Sequence, residues 1–291
     1  MRRRSGLLLR LIALTLCALT AAACGAKPEP TSGKLDTTYP ATVRDGSNPN
    51  RIITVEAPPR LVFVVGGGPE RLLAKLGVRA ASAPADVTAA RIAGAHPDLV
   101  VVGPGVTTQD EQRNENFVRR LTVPVFVMPG GRLEDIERGA VALGVVTNHA
   151  EAGRTLALQL RRQRGDIAKR LANVAPVTVY VDAGFGASIQ RTTLLARLIT
   201  LAGGKLVGPS DGVTTVNAKQ LHRLDPDVYM ATSGSGVTLA RLRAQPQLRT
   251  LRSIAAGRFF VVDSTAARAD MTAYALLHSL AHQLHPTVIK Q

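Results

Sequence analysis

The sequence predicts an α/β protein of two lobes, each built on a largely parallel sheet, joined by one long stiff helix. Three observations carry this. From about Arg51 onward, short apolar runs alternate with helical patterns, as chains of strand–helix units do. Several runs are continuous and β-branched, DLVVV (98–102) and VTVYV (177–181) among them, which suits strands covered on both faces. One helical pattern, from Asn148 to about Val174, contains no Pro. At about 26 residues and 1.5 Å per residue it is roughly 39 Å long, long for a crossover inside one sheet.

Taken in order, the chain opens with a cationic head, Met1–Arg4, then an apolar run from Gly6 to Ala22 broken once by Arg10. Small residues lead from there to Cys24. This is the layout of a secretory signal peptide over 1–23, too short and too charged at its front for a good spanning helix. It resembles a bacterial lipoprotein signal, which implies palmitate-type lipidation of Cys24 as the mature N-terminus. Lipoboxes prefer Leu where Ala21 stands. The alternative is an ordinary cut near Ala23 that leaves a free thiol.

Residues 24–50 read as a flexible tether, its first part rich in Pro, Ser, Thr and Gly. An N-terminal lobe is expected over 51–147, with strands at 51–55, 60–65, 98–102 and 124–128. The bridging helix is expected over 148–175. There Leu156, Leu160, Ile167, Leu171 and Val174 recur at spacings of three, four and seven, and Asn148 with Glu151 forms a capping-box-like start. A C-terminal lobe follows over 176–291, with strands at 177–181, 227–231 and 258–262. Each lobe is expected to have its own core. The alternative is a single doubly wound domain containing one long helix.

Composition narrows the function. Aromatics are 3 % and Trp is absent, which disfavours a stacking platform for single-stranded nucleic acid, and export disfavours nucleic acid altogether. The net charge of +15, or +11 without the four arginines of the first ten residues, motivates a third reading, a basic scaffold for anionic lipid or wall polymer, although the Arg residues are scattered. Cys17 lies inside the signal and Cys24 at its end, so no disulfide is expected. No enzyme constellation emerges: Gly234-Ser235-Gly236 lacks nucleophile-elbow spacing, and His-Glu or Cys-based metal motifs are absent.

Several stretches in order resemble the solute-binding lipoproteins of ABC importers, in the class handling ferric siderophores, haem and cobalamin. They are APPRLVFVVGGGPERLLAKLGV (57–78), AHPDLVVVG (95–103), VPVFVM with LEDIERGAVALG (123–144), LLARLITLAGG (194–204), LDPDVYMA (224–231) and AHQLHP (281–286). The resemblance covers roughly 43 to 288. It implies two Rossmann-like lobes bridged by a single helix, with the ligand between them, no enzymatic activity and no cofactor. It further implies a monomer anchored on the extracytoplasmic side of the cell membrane that passes a metal chelate, a ferric siderophore foremost, to an ABC permease. Scarce aromatics lean away from haem and cobalamin, whose flat faces favour ring stacking.

The chain departs from that class at its docking acids. Importers carry one exposed Glu on each lobe; the corresponding places here are Ala90 and Lys219. A lysine facing a permease arginine repels it. Either other acids dock (Glu70 or Glu111), or the protein is a non-transport relative acting as an envelope adaptor or sensor.

Ligands of open α/β sheets lie beyond the carboxyl ends of the strands. The loops there are Gly66–Pro69, Gly103–Thr108, Pro129–Arg132, Asp182–Thr193, Thr232–Thr238 and Ser264–Asp270. Arg132, Arg191 and Arg268 lie in them, and a guanidinium fork suits anionic oxygens; a solvated surface role is the alternative. Phe185 is a candidate apolar ligand contact or a packed loop residue. Tyr180 is expected in the core. Gly66–Gly68 form a tight turn or an anion-holding helix start. His278, His282 and His285 share a helix face, either as a metal pair or as outer-face residues.

Overall fold

A computed structural model describes residues 36–84, 86–104, 108–184, 186–209, 215–263 and 270–290. Two four-stranded parallel sheets stand on either side of a long helix, with a separate hairpin at the start. The hairpin pairs β1 (Ala41–Arg44) antiparallel with β2 (Ile52–Val55). The tether expected over 24–50 is therefore too long at its carboxyl end: residues 41–44 are already strand. Four residues of alternating pattern give too short a signal to register, and the hairpin is fixed by a distant contact. Buried Asp45 accepts from Val127 N (2.8 Å) and Ser47 Oγ (2.7 Å) and pairs with Arg51 (2.8 Å).

The first sheet contains β3 (Val62–Val65), β4 (Ala80–Ala83), β5 (Leu99–Val102) and β6 (Val125–Val127), in the order β4-β3-β5-β6. Its crossovers carry α1 (Pro69–Lys75), α2 (Ala89–Gly94) and α3 (Thr108–Arg120). Two helices follow in succession, α4 (Leu133–Val146) and α5 (Ala150–Leu171). The second sheet contains β7 (Val177–Asp182), β8 (Gly204–Leu206), β9 (Val228–Thr232) and β10 (Phe259–Val262), in the order β10-β9-β7-β8. Its helices are α6 (Leu194–Leu201), α7 (Ala218–Leu224), α8 (Leu239–Ala244), α9 (Arg252–Ala255) and α10 (Thr272–Leu284). Two parallel-sheet lobes bridged by a single long helix, α5, are thus the architecture.

Two aspartates at strand starts do the same job in the two sheets. Asp98 Oδ2 accepts from Arg60 N (2.8 Å) and Leu61 N (2.9 Å), tying the start of β5 to that of β3. Asp227 Oδ2 accepts from Thr178 N (2.9 Å) and Thr178 Oγ1 (2.7 Å), tying β9 to β7. Burial acts to raise the Asp227 pKa, but the Thr178 hydrogen bonds and nearby Arg252 outweigh it and hold it below the ordinary carboxylate value.

The bridging helix begins two residues later than expected, and its cap is not the one expected. Asn148 has φ 62°, and its Oδ1 accepts from Asp36 N (2.8 Å) and Thr37 N (3.1 Å) rather than from the helix. The helix amide of Glu151 donates instead to Asp36 Oδ2 at 2.7 Å. The cap is supplied from far away in sequence, so no local pattern reveals it.

The expectation of separate cores also fails. One apolar cluster runs from Leu73, Leu99 and Phe126 of the first lobe through Leu143, Leu160 and Leu171 into Val181, Leu198, Met230 and Leu284 of the second. The outer sheet faces hold their own clusters, Val100, Val102 and Phe117 in one lobe and Tyr180, Tyr229 and Leu251 in the other. Alternate residues of a strand point to opposite faces, so β5 gives Leu99 and Val101 to the shared core and Val100 and Val102 to the outer one. The shared core exists because α4 and α5 pack together, burying apolar side chains from both lobes.

Candidate functional site

The site is built where strands end. β3 runs into Gly66–Gly68, with φ 75° at Gly66 and 118° at Gly68, a left-handed region open to glycine at little cost. Gly68 N donates to the Glu70 carboxylate at 2.8 Å. The chain closes this turn itself, which favours the tight-turn reading over an anion cradle and gives Glu70 a local partner. A Cβ at Gly68 would lie 3.2 Å from Cβ of Asp270, and Arg71 Nη1 is 4.0 Å from Asp270 Oδ2. The two lobes touch here. After β6 the chain passes Pro129, Gly130 and Gly131 to Arg132, whose N–H donates to Asp135 Oδ2 at 3.0 Å and starts α4. Asp135 is buried and salt-bridged to Arg138; burial raises its pKa against the pull of Arg138.

In the second lobe β7 ends at buried Asp182. Its Oδ2 accepts from the Tyr229 hydroxyl of β9 at 2.6 Å and its Oδ1 from Gly184 N at 2.8 Å. Burial pushes the Tyr229 phenol up and the adjacent Asp182 pushes it further, so the hydroxyl stays protonated and donates. The loop then folds back, with bridges Asp182↔Ser188 and Ala187↔Thr215, and Tyr180 OH donates to Gly186 O at 2.8 Å. Tyr180 is fully buried, in the core role expected. The Asp182–Tyr229 pair shapes this loop and was not foreseen; it joins residues far apart in sequence that follow no short motif.

Arg132 of the first lobe and Arg191 of the second line one cavity of about 590 Å³. Both guanidinium residues are exposed. Phe185, Arg268 and Cys24 lie outside the described residues. A second, polar cavity of about 700 Å³ lies wholly in the first lobe, between the hairpin, α3 and the end of β6, with Glu111 on its wall. Ala90 and Lys219 are both exposed in the first turns of α2 and α7, neither of which carries an acid there.

The three terminal histidines do not converge. His282 Nδ1 lies 2.7 Å from Ile289 O and His285 Nε2 lies 3.1 Å from Gly203 O, so a backbone carbonyl engages one ring nitrogen of each, while His278 faces a groove beside α5. Among the described residues no cluster of His, Cys, Asp and Glu is arranged to hold a metal ion, and no helix is long and apolar enough to cross a membrane.

The lobes are also fastened away from the cleft. Buried Glu137 of α4 accepts from Arg161 Nε (3.2 Å) and Arg164 Nε (3.1 Å) of α5 and from the Tyr274 hydroxyl of α10 (3.1 Å). Tyr274 OH also lies 3.1 Å from Leu133 O. Its phenol is pushed up, first by burial and then by Glu137.

No protein-family model and no curated protein matches the sequence. Solved structures do match in shape. An ABC transporter solute-binding protein from Sulfurospirillum deleyianum superposes with a TM-score of 0.67 at 13 % identity, covering 86 % of this chain and 90 % of that one. The periplasmic vitamin B12 binding protein of Vibrio cholerae gives 0.63 at 13 % identity, over 80 % and 99 %. A Fe3+-hydroxamate transport protein from Saccharomonospora viridis gives 0.58 at 15 % identity, over 86 % and 99 %. At such identities the likeness is one of fold: this chain has the two-lobed, helix-bridged α/β fold seen in solute-binding proteins of ABC transporters.

Proposed function

We propose that this chain is an extracytoplasmic solute-binding lipoprotein that captures a metal chelate, a ferric siderophore foremost, for an ABC importer. The observation that carries the reading is that Arg132 and Arg191, from opposite lobes, line one cavity. Paired guanidinium groups suit the carboxylate or catecholate oxygens of such a chelate. Arg268 and Phe185 are assigned to the same ligand, and Cys24 to the lipid that holds a monomer at the membrane. The protein binds rather than reacts, and uses no cofactor of its own.

A stiff connecting helix and a shared core favour small lobe motions over wide hinge closure. Calorimetric titration with a panel of ferric siderophores is the test. Binding in or below the micromolar range, weakened in both Arg132→Ala and Arg191→Ala, is the expected result; no binding of any iron chelate in that range rejects the reading.

A second reading, an envelope adaptor or sensor of the same fold, is favoured by exposed Ala90 and Lys219 where importers present acids. Co-purification separates the two: recovery of an ABC permease excludes the adaptor.

A further inference from the structure

We propose that the groove flanking the second lobe is a binding site for a small amphipathic anion: an acidic head group on an apolar body, as in a medium-chain carboxylate. Four cations line this groove, Arg132, Arg191, Arg197 and Lys205. None of them forms an ion pair among the described residues. Arg191 Nη2 reaches Gly208 O only at 3.5 Å. The acid on the groove wall, Glu134, is engaged by Arg164 at 2.8 Å. Nearby Asp135 is held by Arg138 and by the Arg132 N–H. Four cations beside acids that are already engaged by other arginines leave the groove net positive, and an anion between them relieves their mutual repulsion.

The rest of the lining determines what kind of anion fits. Leu194, Leu201, Leu206 and Pro176 form an apolar surface beside the cations. A bare inorganic anion leaves that surface wet, whereas an acyl or ring body covers it and gains by removing apolar area from water. A volume of about 590 Å³ is that of a small-molecule pocket.

The groove also leads away from the strand ends. Lys205 lies in edge strand β8 in register with Thr178, near the start of β7, and Pro176 precedes that strand. The inference therefore does not rest on chelate capture, although Arg132 and Arg191 serve both, and the test uses the far end of the groove. Anilinonaphthalene sulfonate, itself an anion with apolar rings, is bound to the purified protein and displaced with decanoate, decanol or acetate.

Decanoate is expected to displace the dye, with acetate and decanol at least tenfold weaker and the Arg197→Ala/Lys205→Ala variant weakening decanoate by about tenfold. Lys205→Ala alone, at an exposed strand position, is expected to weaken it by a smaller factor with the melting temperature unchanged. Parent-like displacement from the double variant, or decanol matching decanoate, overturns the inference. Ferric siderophores titrated into the same variants keep the two readings apart. Decanoate binding without any chelate binding supports the groove and rejects capture; chelate binding without decanoate binding does the reverse.

Discussion

Tyr229 and Asp182 show how a single pair of side chains shapes a strand-end loop. Asp182 is buried at the end of β7 and accepts from Tyr229 OH and Gly184 N. Removing the hydroxyl leaves a buried carboxylate one donor short, which costs about 1–3 kcal/mol. Tyr229→Phe is therefore expected to lower the unfolding free energy by that amount, read from a lower urea midpoint, and to speed hydrogen exchange at Gly184. An unchanged midpoint would mean that the ring alone holds the loop. The sequence placed Arg132 and Arg191 correctly on strand-end loops because β6 and β7 announce themselves by continuous apolar runs. It is silent on this pair, because a tyrosine inside an apolar strand such as VYMAT reads only as core. The Asp36 cap on α5 was hidden for a similar reason, since its partner Glu151 is near it only after folding.

At the scale of elements, legibility followed side-chain character. LVVV of β5 and VTVYVD of β7 are strands by any reading of their residues. AASA of β4 and GKL of β8 carry no such pattern and become strands because β3 and β7 offer them open edges in register. The α4–α5 contact depends equally on glycine. A Cβ at Gly153 would lie 2.6 Å from Ala140 O and 3.1 Å from Gly144 Cα, backbone atoms that cannot rotate away. Gly165, on the same helix, has nothing within 4 Å of an added Cβ. Alanine at the two positions should act in opposite directions. Gly165→Ala is expected to gain about 0.5–1 kcal/mol through helix propensity, and Gly153→Ala to lose roughly 1–3 kcal/mol by forcing the helices apart. Chemical denaturation of both variants checks the pair, and a stabilised Gly153→Ala would show that the helices separate freely.

For the molecule as a whole, the shared core is the property with the widest reach. Leu160 is 1 % exposed and sits within the cluster that joins the lobes. Leu160→Ala should cost about 2–5 kcal/mol, and because the cluster is continuous both lobes should unfold in one transition. Coincident melting followed by circular dichroism and by hydrogen exchange in β5 and β9 checks this; two separated transitions would show that the lobes fold independently. The contact of Gly68 and Arg71 with Asp270 has a consequence for traffic. It joins the lobes after β3 of the first sheet and after β10 of the second. The cavity that bears Arg132 and Arg191 is instead lined by residues that follow β6 and by strand β8. A small molecule approaching that cavity meets positive charge first, so its mouth selects for anions before any closer contact is made.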